Sequence, residues 1–352
     1  MDYLDPWSRS VARVSRQFMA AWRAGVVGLH VQLPEGHPLA FLRQERFNRY
    51  PNLKFVILNE TAIQTDFDRE PGAHALALQR PGVSLRLTLW RRLSANTLLG
   101  ALRDSPELAA MVSHLTFALQ SHQNDILALV QALPRLLSLH INCCHSMSEG
   151  GLRQLLGRPG LQHLVLFGCK DLSGSGLQAL TEPGCTVRSL GIEGTPLTNE
   201  QLLALAQAPQ LEKLELAACS GLRAEGIAHL ANSPSLRHLS LRRNQWLNAD
   251  CLHQLGGLRQ RLQRLSLSDC PRVDDTALAA LQGMDQLRYL NLRGCGHVTL
   301  PALQSLASTL PALQAVTTGP TDDSEDEAAA LATPVFNAQR QRVRLSEDEE
   351  PL

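Results

Sequence analysis

From residue 136 onward one phrase recurs, Leu-x-x-Leu-x-Leu-x-x-Cys. It reads Leu136-Leu139-Ile141-Cys144, Leu161-Leu164-Leu166-Cys169, Val187-Leu190-Ile192-Thr195 and Leu211-Leu214-Leu216-Cys219. It continues as Leu236-Leu239-Leu241-Asn244, Leu262-Leu265-Leu267-Cys270 and Leu287-Leu290-Leu292-Cys295, and Leu313 with Val316 opens a last, broken copy. The copies start 24 to 26 residues apart. A period of that length marks a chain built from stacked supersecondary units. No single copy has enough apolar surface to form a core, so neighbouring copies must bury their Leu columns against one another.

The second half of each copy supplies a helix. An apolar and a small polar residue precede a Leu-x-x-Leu spacing: Leu172-Ser173 with Leu177 and Leu180, Leu197-Thr198 with Leu202 and Leu205, Val273-Asp274 with Leu278 and Leu281, and Val298-Thr299 with Leu303 and Leu306. Thr198 with Gln201 three residues on fits a capping box. Asp274, Thr299 and Asn248 suit the same N-cap. Pro159, Pro209, Pro234 and Pro311 punctuate the return to the next strand. A short strand and a short helix per copy predict an α/β leucine-rich-repeat solenoid, a horseshoe with a concave parallel sheet and convex helices.

The regular array spans 131–318. Residues 26–130 read as irregular repeats: Val26-Leu29-Val31, Leu53-Val56-Leu58-Thr61 and Val112-Leu115-Phe117 fit the phrase, and Leu85-Leu87-Leu89 fits it poorly. Residues 319–352 carry the acidic runs Asp322-Asp323-Ser324-Glu325-Asp326-Glu327 and Glu347-Asp348-Glu349-Glu350 and no repeat, a composition that predicts disorder.

Five cysteines share one repeat position: Cys144, Cys169, Cys219, Cys270 and Cys295, with Thr195 and Asn244 as alternates. Interchange of Cys, Thr and Asn predicts a small side chain turned inward to bond loop backbone, hence buried, reduced thiols. Metal ligation is the weaker reading, since the spacing contains no Cys-x-x-Cys pair and Cys143-Cys144-His145 stands alone. No cofactor is expected.

Composition excludes more than it selects. The formal net charge is +0, which points neither to nucleic acid nor to an anionic membrane. No apolar run of about 18 residues is present, so no spanning helix is expected. Residues 1–10 lack the apolar segment of a secretory signal, so the expected location is intracellular and cytoplasmic. No Ser/His/Asp or Cys/His set recurs at suggestive spacing, and no glycine-rich phosphate loop follows a strand, so the chain reads as a binding protein rather than an enzyme.

The cysteine-bearing phrase resembles the cysteine-containing subfamily of leucine-rich repeats found in F-box proteins and related bacterial effectors. The start of the chain extends the likeness. Tyr3-Leu4-Asp5-Pro6, then Ser10 through Phe18, and Trp22 are similar to the second half of an F-box. The first half, with its Leu-Pro pair, has no counterpart from Met1 on. The resemblance implies that Leu4, Pro6, Val11, Val14 and Phe18 contact a Skp-type cullin adaptor. The same segment, 1–25, also suits a plain amphipathic cap for the solenoid. Short Ala-rich helices such as Leu202-Leu203-Ala204-Leu205-Ala206 resemble those of GALA-type effectors, which implies a virulence protein secreted by a bacterium into the host cytoplasm. The chain holds the lysines Lys54, Lys170 and Lys213 against thirty arginines. That bias fits a GC-rich genome, and also a ligase subunit offering few acceptor amines.

On these grounds the chain is expected to recognise substrate for an SCF-type ubiquitin ligase; the alternative is a free-standing scaffold or inhibitor. Recognition is expected on the concave face, where alternate strand residues point outward. One outward column is His140, Val165, Gly191, Glu215, Ser240, Ser266 and Asn291; the next is Asn142, Phe167, Glu193, Ala217, Arg242, Ser268 and Arg293. Val165 and Phe167 form an apolar spot. Arg242, Arg243, Trp246, Arg264, Arg288, Tyr289 and Arg293 form a basic, aromatic half that predicts an acidic protein partner.

Overall fold

The computed structural model describes residues 28–33, 55–60, 84–89, 99–100, 102–103, 106–118, 123–142, 147–169, 172, 174–319, 335–336 and 342–346. The adaptor-contact residues expected from the F-box likeness, Leu4, Pro6, Val11, Val14 and Phe18, lie outside them, as do Cys143, Cys144 and His145. The chain divides into two compact units, Met1–Cys144 and His145–Leu352.

In the first unit, β1 (Gly28–Leu33), β2 (Phe55–Glu60), β3 (Ser84–Leu89), β4 (Val112–Ala118) and β5 (Ser138–Asn142) pair in parallel and in chain order. Leu58, Leu87, Leu115 and Leu139 occupy one register position. The segment that fits the phrase poorly is thus a strand of the same sheet. Its misfit has a local cause: the register shifts between Leu85 and Arg86, so that Leu85 pairs with Val112 and Arg86 with His114. Helices α1 (Pro106–Met111) and α2 (Gln123–Gln131) accompany these strands. Ile126, Leu127, Leu129 and Val130 are the buried residues of α2.

In the second unit, β6 (His163–Phe167), β7 (Ser189–Glu193), β8 (Lys213–Ala217), β9 (His238–Ser240), β10 (Arg264–Ser266), β11 (Tyr289–Asn291) and β12 (Ala315–Thr317) again pair in parallel and in order. Between them run α3 (Glu149–Leu156), α4 (Gly174–Leu177), α5 (Asn199–Gln207), α6 (Ala224–Leu230), α7 (Ala249–His253), α8 (Asp275–Ala279) and α9 (Leu300–Thr309). One strand and one short helix per repeat make this the α/β leucine-rich-repeat solenoid that the period predicts.

The repeat phrase explains the core. Leu164, Leu190, Leu214, Leu239, Leu265 and Leu290 stand in one register position and are buried. Each Leu withdrawn from water contributes about 1.5–3 kcal/mol before chain entropy is set against it. Helix starts follow the caps read from sequence. Thr198 and Gln201 form a complete capping box, and Asn248, Asp274 and Thr299 each accept a backbone N–H with their side chain.

Cys169, Cys219, Cys270 and Cys295 are buried. The Cys219 thiol donates to Ile192 O at 3.3 Å, that of Cys270 to Leu241 O at 3.2 Å, and that of Cys295 to Leu267 O at 3.1 Å. Asn244 plays the same part with an amide, donating to Leu216 O at 2.7 Å and Leu241 O at 2.8 Å. Among the described residues, no cluster of His, Cys, Asp or Glu could hold a metal ion.

Beyond β12, part of the segment expected to be disordered is a strand. β14 (Arg342–Ser346) pairs in parallel with β12, and β13 (Val335–Phe336) pairs antiparallel with β14. Arg-Val-Arg-Leu-Ser alternates polar and apolar residues, a strand pattern that the neighbouring acidic runs mask. Those runs lie outside the described residues. Among the described residues, no helix is long and apolar enough to cross a membrane.

Candidate partner-binding face

Each five-residue strand of the second unit turns its second and fourth residues toward the helices and its first, third and fifth away from them. The open face therefore carries three columns rather than the two read from sequence. The first runs His163, Ser189, Lys213, His238, Arg264, Tyr289 and Ala315. The second runs Val165, Gly191, Glu215, Ser240, Ser266, Asn291 and Thr317. The third runs Phe167, Glu193 and Ala217. Backbone bonds from Ala218 N to Arg242 O, Arg243 N to Ser268 O and Asp269 N to Arg293 O carry it on through Arg242, Ser268 and Arg293.

At one end of the face, Phe167 is 38% exposed and Val165 half-buried. A Cβ on the neighbouring Gly191 would meet both Val165 methyl groups at 3.2 Å, so glycine there lets the valine settle across the strand. This is the apolar spot expected from sequence.

The basic, aromatic half is less uniform than its composition implies. Arg242 donates from Nε to Glu215 Oε1 at 2.6 Å and from Nη2 to Glu193 Oε2 at 2.7 Å. Arg243 stands 3.5 Å from Glu193 and 3.6 Å from Asp269. Two of the expected cations are therefore engaged by carboxylates of the same face, acids that the sequence places one or two repeats away. Trp246 turns to its own loop: its indole N–H donates to Cys219 O at 2.7 Å and to Asn244 Oδ1 at 3.1 Å. Arg288 precedes β11 and stands in the row Gln162, Arg188, Glu212, Arg237, Gln263, Arg288, Gln314, linked by N–H to carbonyl bonds, at the strand openings. Arg264 and Tyr289 do come together, with the guanidinium carbon 4.0 Å from the ring centroid. Asn291 and Arg293 lie on β11 and just after it, where the Asn291 side chain accepts from Arg293 N at 3.0 Å.

The first column as a column is what sequence reasoning missed, since it singled out Arg264 and Tyr289 but not Lys213 or His238. The phrase contains its signal, because the residue before the fourth-position Leu has the same parity as the two outward residues after it. It brings Lys213, His238 and Arg264 onto three successive strands. Burial lowers the pKa of His238, and Arg264, Lys213 and Arg237 lower it further against an opposing effect from Glu212. Burial, then Lys213, lowers that of His163. Burial lowers that of Lys213, which Glu215 opposes and Arg264 reinforces.

Between these charges the floor is made of serines. Ser240, Ser266 and Ser268 are all buried. The Ser266 and Ser268 hydroxyls lie 3.4 Å apart. Ser240 Oγ has no hydrogen-bond partner among the described residues. An unpaired buried hydroxyl costs about 1–3 kcal/mol.

The phrase also carries a backbone signature. The position before the Cys has positive φ in successive repeats: Gly168, Gly194, Ala218, Arg243, Asp269, Gly294 and Gly319. Three successive copies thus hold a side chain where Gly168, Gly194, Gly294 and Gly319 have none, with φ of 48° at Ala218, 59° at Arg243 and 58° at Asp269.

No family model matches the chain. A Caenorhabditis elegans protein, EEED8.10, whose name proposes RNA binding, is 27% identical over 188 residues, which make up 50% of this chain and 25% of that protein. The chain thus spans about a quarter of the length of that curated relative. Among solved structures, the leucine-rich-repeat-containing protein LegL7 from Legionella pneumophila is similar at a TM-score of 0.53 and 16% identity, over 76% of this chain and 91% of that one. This likeness is to the fold. An internalin from Listeria monocytogenes matches at a TM-score of 0.40 and 13% identity, over 98% of this chain and 94% of that one.

Proposed function

We propose that the chain is a protein-recognition module whose open sheet face takes a protein partner, and that it serves as the substrate-recognition subunit of an SCF-type ubiquitin ligase. The observation that carries the first half is the in-register grid itself. Seven parallel strands present an apolar spot at Val165 and Phe167, an ion-paired centre at Glu193, Glu215 and Arg242, and a cationic flank through Arg264 and Arg293. Rigid strands hold such a set in fixed relative positions, so ordering costs little on binding. The ligase half is supported by the F-box likeness of residues 3–22 together with the cysteine-type repeat. A repeat protein of this kind in a bacterium would act as an effector in a host cell. Three quarters of the C. elegans relative lies outside the match, so RNA binding is not carried over.

The test is a pull-down of a purified Skp-type adaptor by the full chain and by the chain lacking residues 1–25. The ligase reading expects capture by the first and none by the second. No capture by the full chain would leave the free-standing scaffold or inhibitor instead.

A further inference from the structure

We propose that the row Lys213–His238–Arg264 seats an acidic, carboxylate-rich segment of a protein partner, with the Ser240 hydroxyl donating to one of its carboxylates. This rests on the reading of the open face as a protein-binding surface, and names the chemistry of what binds there.

The first observation is charge. On the two positions that open each strand from β7 to β11 stand the five cations Arg188, Lys213, Arg237, Arg264 and Arg288, and one carboxylate, Glu212. Arg188 takes that carboxylate at 2.7 Å. Successive strands are about 4.8 Å apart, so Lys213 and Arg264 lie roughly 10 Å from each other with His238 between. A line of cations with that spread matches a run of carboxylates along a chain better than it matches one compact dianion.

The second observation is independent of charge. Ser240 is one column inward of His238 in the grid, is 2% exposed, and its hydroxyl is without a partner among the described residues. It stands between Glu215 on β8 and Ser266 on β10. A hydroxyl is a donor as well as an acceptor, and an incoming carboxylate supplies the acceptor it lacks. Because Ser240 is covered, the flanking side chains must part before the bond can form. Ser240 therefore reports how deeply the segment seats.

The third is what surrounds the row. Glu193 and Glu215 lie further along the same strands, so a long polyanion crossing the whole face meets like charge. A short acidic segment following the strand openings meets only Glu212 and Glu215, which Arg188 and Arg242 already hold in ion pairs. Tyr289, next to the row on β11, is stacked against Arg264, so one face of its ring is already covered and less of it is open to a nucleobase.

The experiment titrates the purified full chain with a fluorescent Asp/Glu-rich peptide, a phosphoserine peptide of equal length and a single-stranded RNA. Variants are Lys213→Ala, Arg264→Gln, Ser240→Ala and, as a control on the helical side of the repeat, Arg259→Gln. Expected are binding of the acidic peptide that weakens with salt, a loss of about tenfold for Lys213→Ala and for Arg264→Gln, and about threefold for Ser240→Ala. Arg259→Gln should bind as the parent does. Thermal unfolding of each variant separates a binding loss from misfolding. The proposal is overturned if the acidic peptide does not bind, if the row variants bind it as the parent does, or if the RNA or the phosphopeptide binds more tightly. Adaptor capture with no peptide binding would overturn this inference alone. Peptide binding without adaptor capture would overturn the ligase reading alone.

Discussion

Arg242 Nε donates to Glu215 Oε1 at 2.6 Å, while Nη2 of the same guanidinium donates to Glu193 Oε2 at 2.7 Å. One cation thus serves two carboxylates that stand on adjacent strands. All three side chains are less than a third exposed, so water and salt screen them incompletely. Removing the cation leaves two like charges side by side. Arg242→Ala is expected to lower the unfolding free energy by about 1–2 kcal/mol, more than a surface pair would give. Arg242→Lys should recover only part, since a point charge cannot fork to both acids. Urea unfolding measures both; an Ala variant as stable as the parent would mean that solvent screens the cluster fully.

A second prediction concerns the position where Cys, Thr and Asn interchange. Asn244 donates to Leu216 O and Leu241 O and accepts from Cys219 N at 2.9 Å and from the Trp246 indole. Asn244→Ala strands these groups in a buried loop and should cost about 2–4 kcal/mol. Asn244→Cys should fall between Ala and the parent, because the Cys219 and Cys270 thiols reach equivalent carbonyls one repeat away. Circular-dichroism melting decides it, and equal melting of the Ala and Cys variants would show that the carbonyl contacts contribute nothing.

The architecture of the second unit was legible because period, parity and caps all act locally. Leu164 and Leu166 bury for reasons visible within their own copy, and Thr198 caps with a residue three positions on. What was not legible depends on neighbours in other copies. Nothing near Arg242 in sequence shows that Glu193, 49 residues away, comes within hydrogen-bond distance. Trp246 reads as an exposed anchor until Cys219 O, 27 residues back, is seen to accept its proton. Lys213 and His238 look like isolated polar residues until three strands align them with Arg264. Residues 342–346 were hidden differently: an acidic environment outweighed a short alternating pattern.

The buried thiols set an alkaline limit. Burial pushes Cys219 and Cys270 up to about 12 and Cys295 up to about 11, from 9.0 when exposed. Between those values the native chain holds protons that the unfolded chain has released, so unfolding is linked to proton loss. Stability from these thiols is fully present below pH 9.0 and is lost as pH rises toward 12. Thermal midpoints taken across that window should fall steadily, and substituting Ser at Cys270 should flatten the fall. At neutral pH the native thiols should react with a thiol-specific disulfide reagent far more slowly than after denaturation, because the thiolate is the nucleophile. Rapid labelling of the native chain would contradict the burial.

Arg243 has φ of 59°, at a position that is glycine in four other repeats, and its side chain is 56% exposed. A left-handed conformation costs a non-glycine residue about 1–2 kcal/mol, and an exposed ion pair returns less than about 1 kcal/mol. Stability alone therefore gives no reason to keep an arginine there. Strain of this kind persists where the side chain is used. Arg243→Gly relieves the strain and gives up the contacts with Glu193 and Asp269, so the unfolding free energy should stay within about 1 kcal/mol of the parent. If Arg243 belongs to the partner-binding face, affinity for a partner docked across β8–β10 should drop several-fold in the same variant. Denaturant unfolding and binding measured side by side give the answer. A glycine variant that binds unchanged would remove Arg243 from the interface, and one that unfolds far more easily would mean that its ion pairs hold the loop.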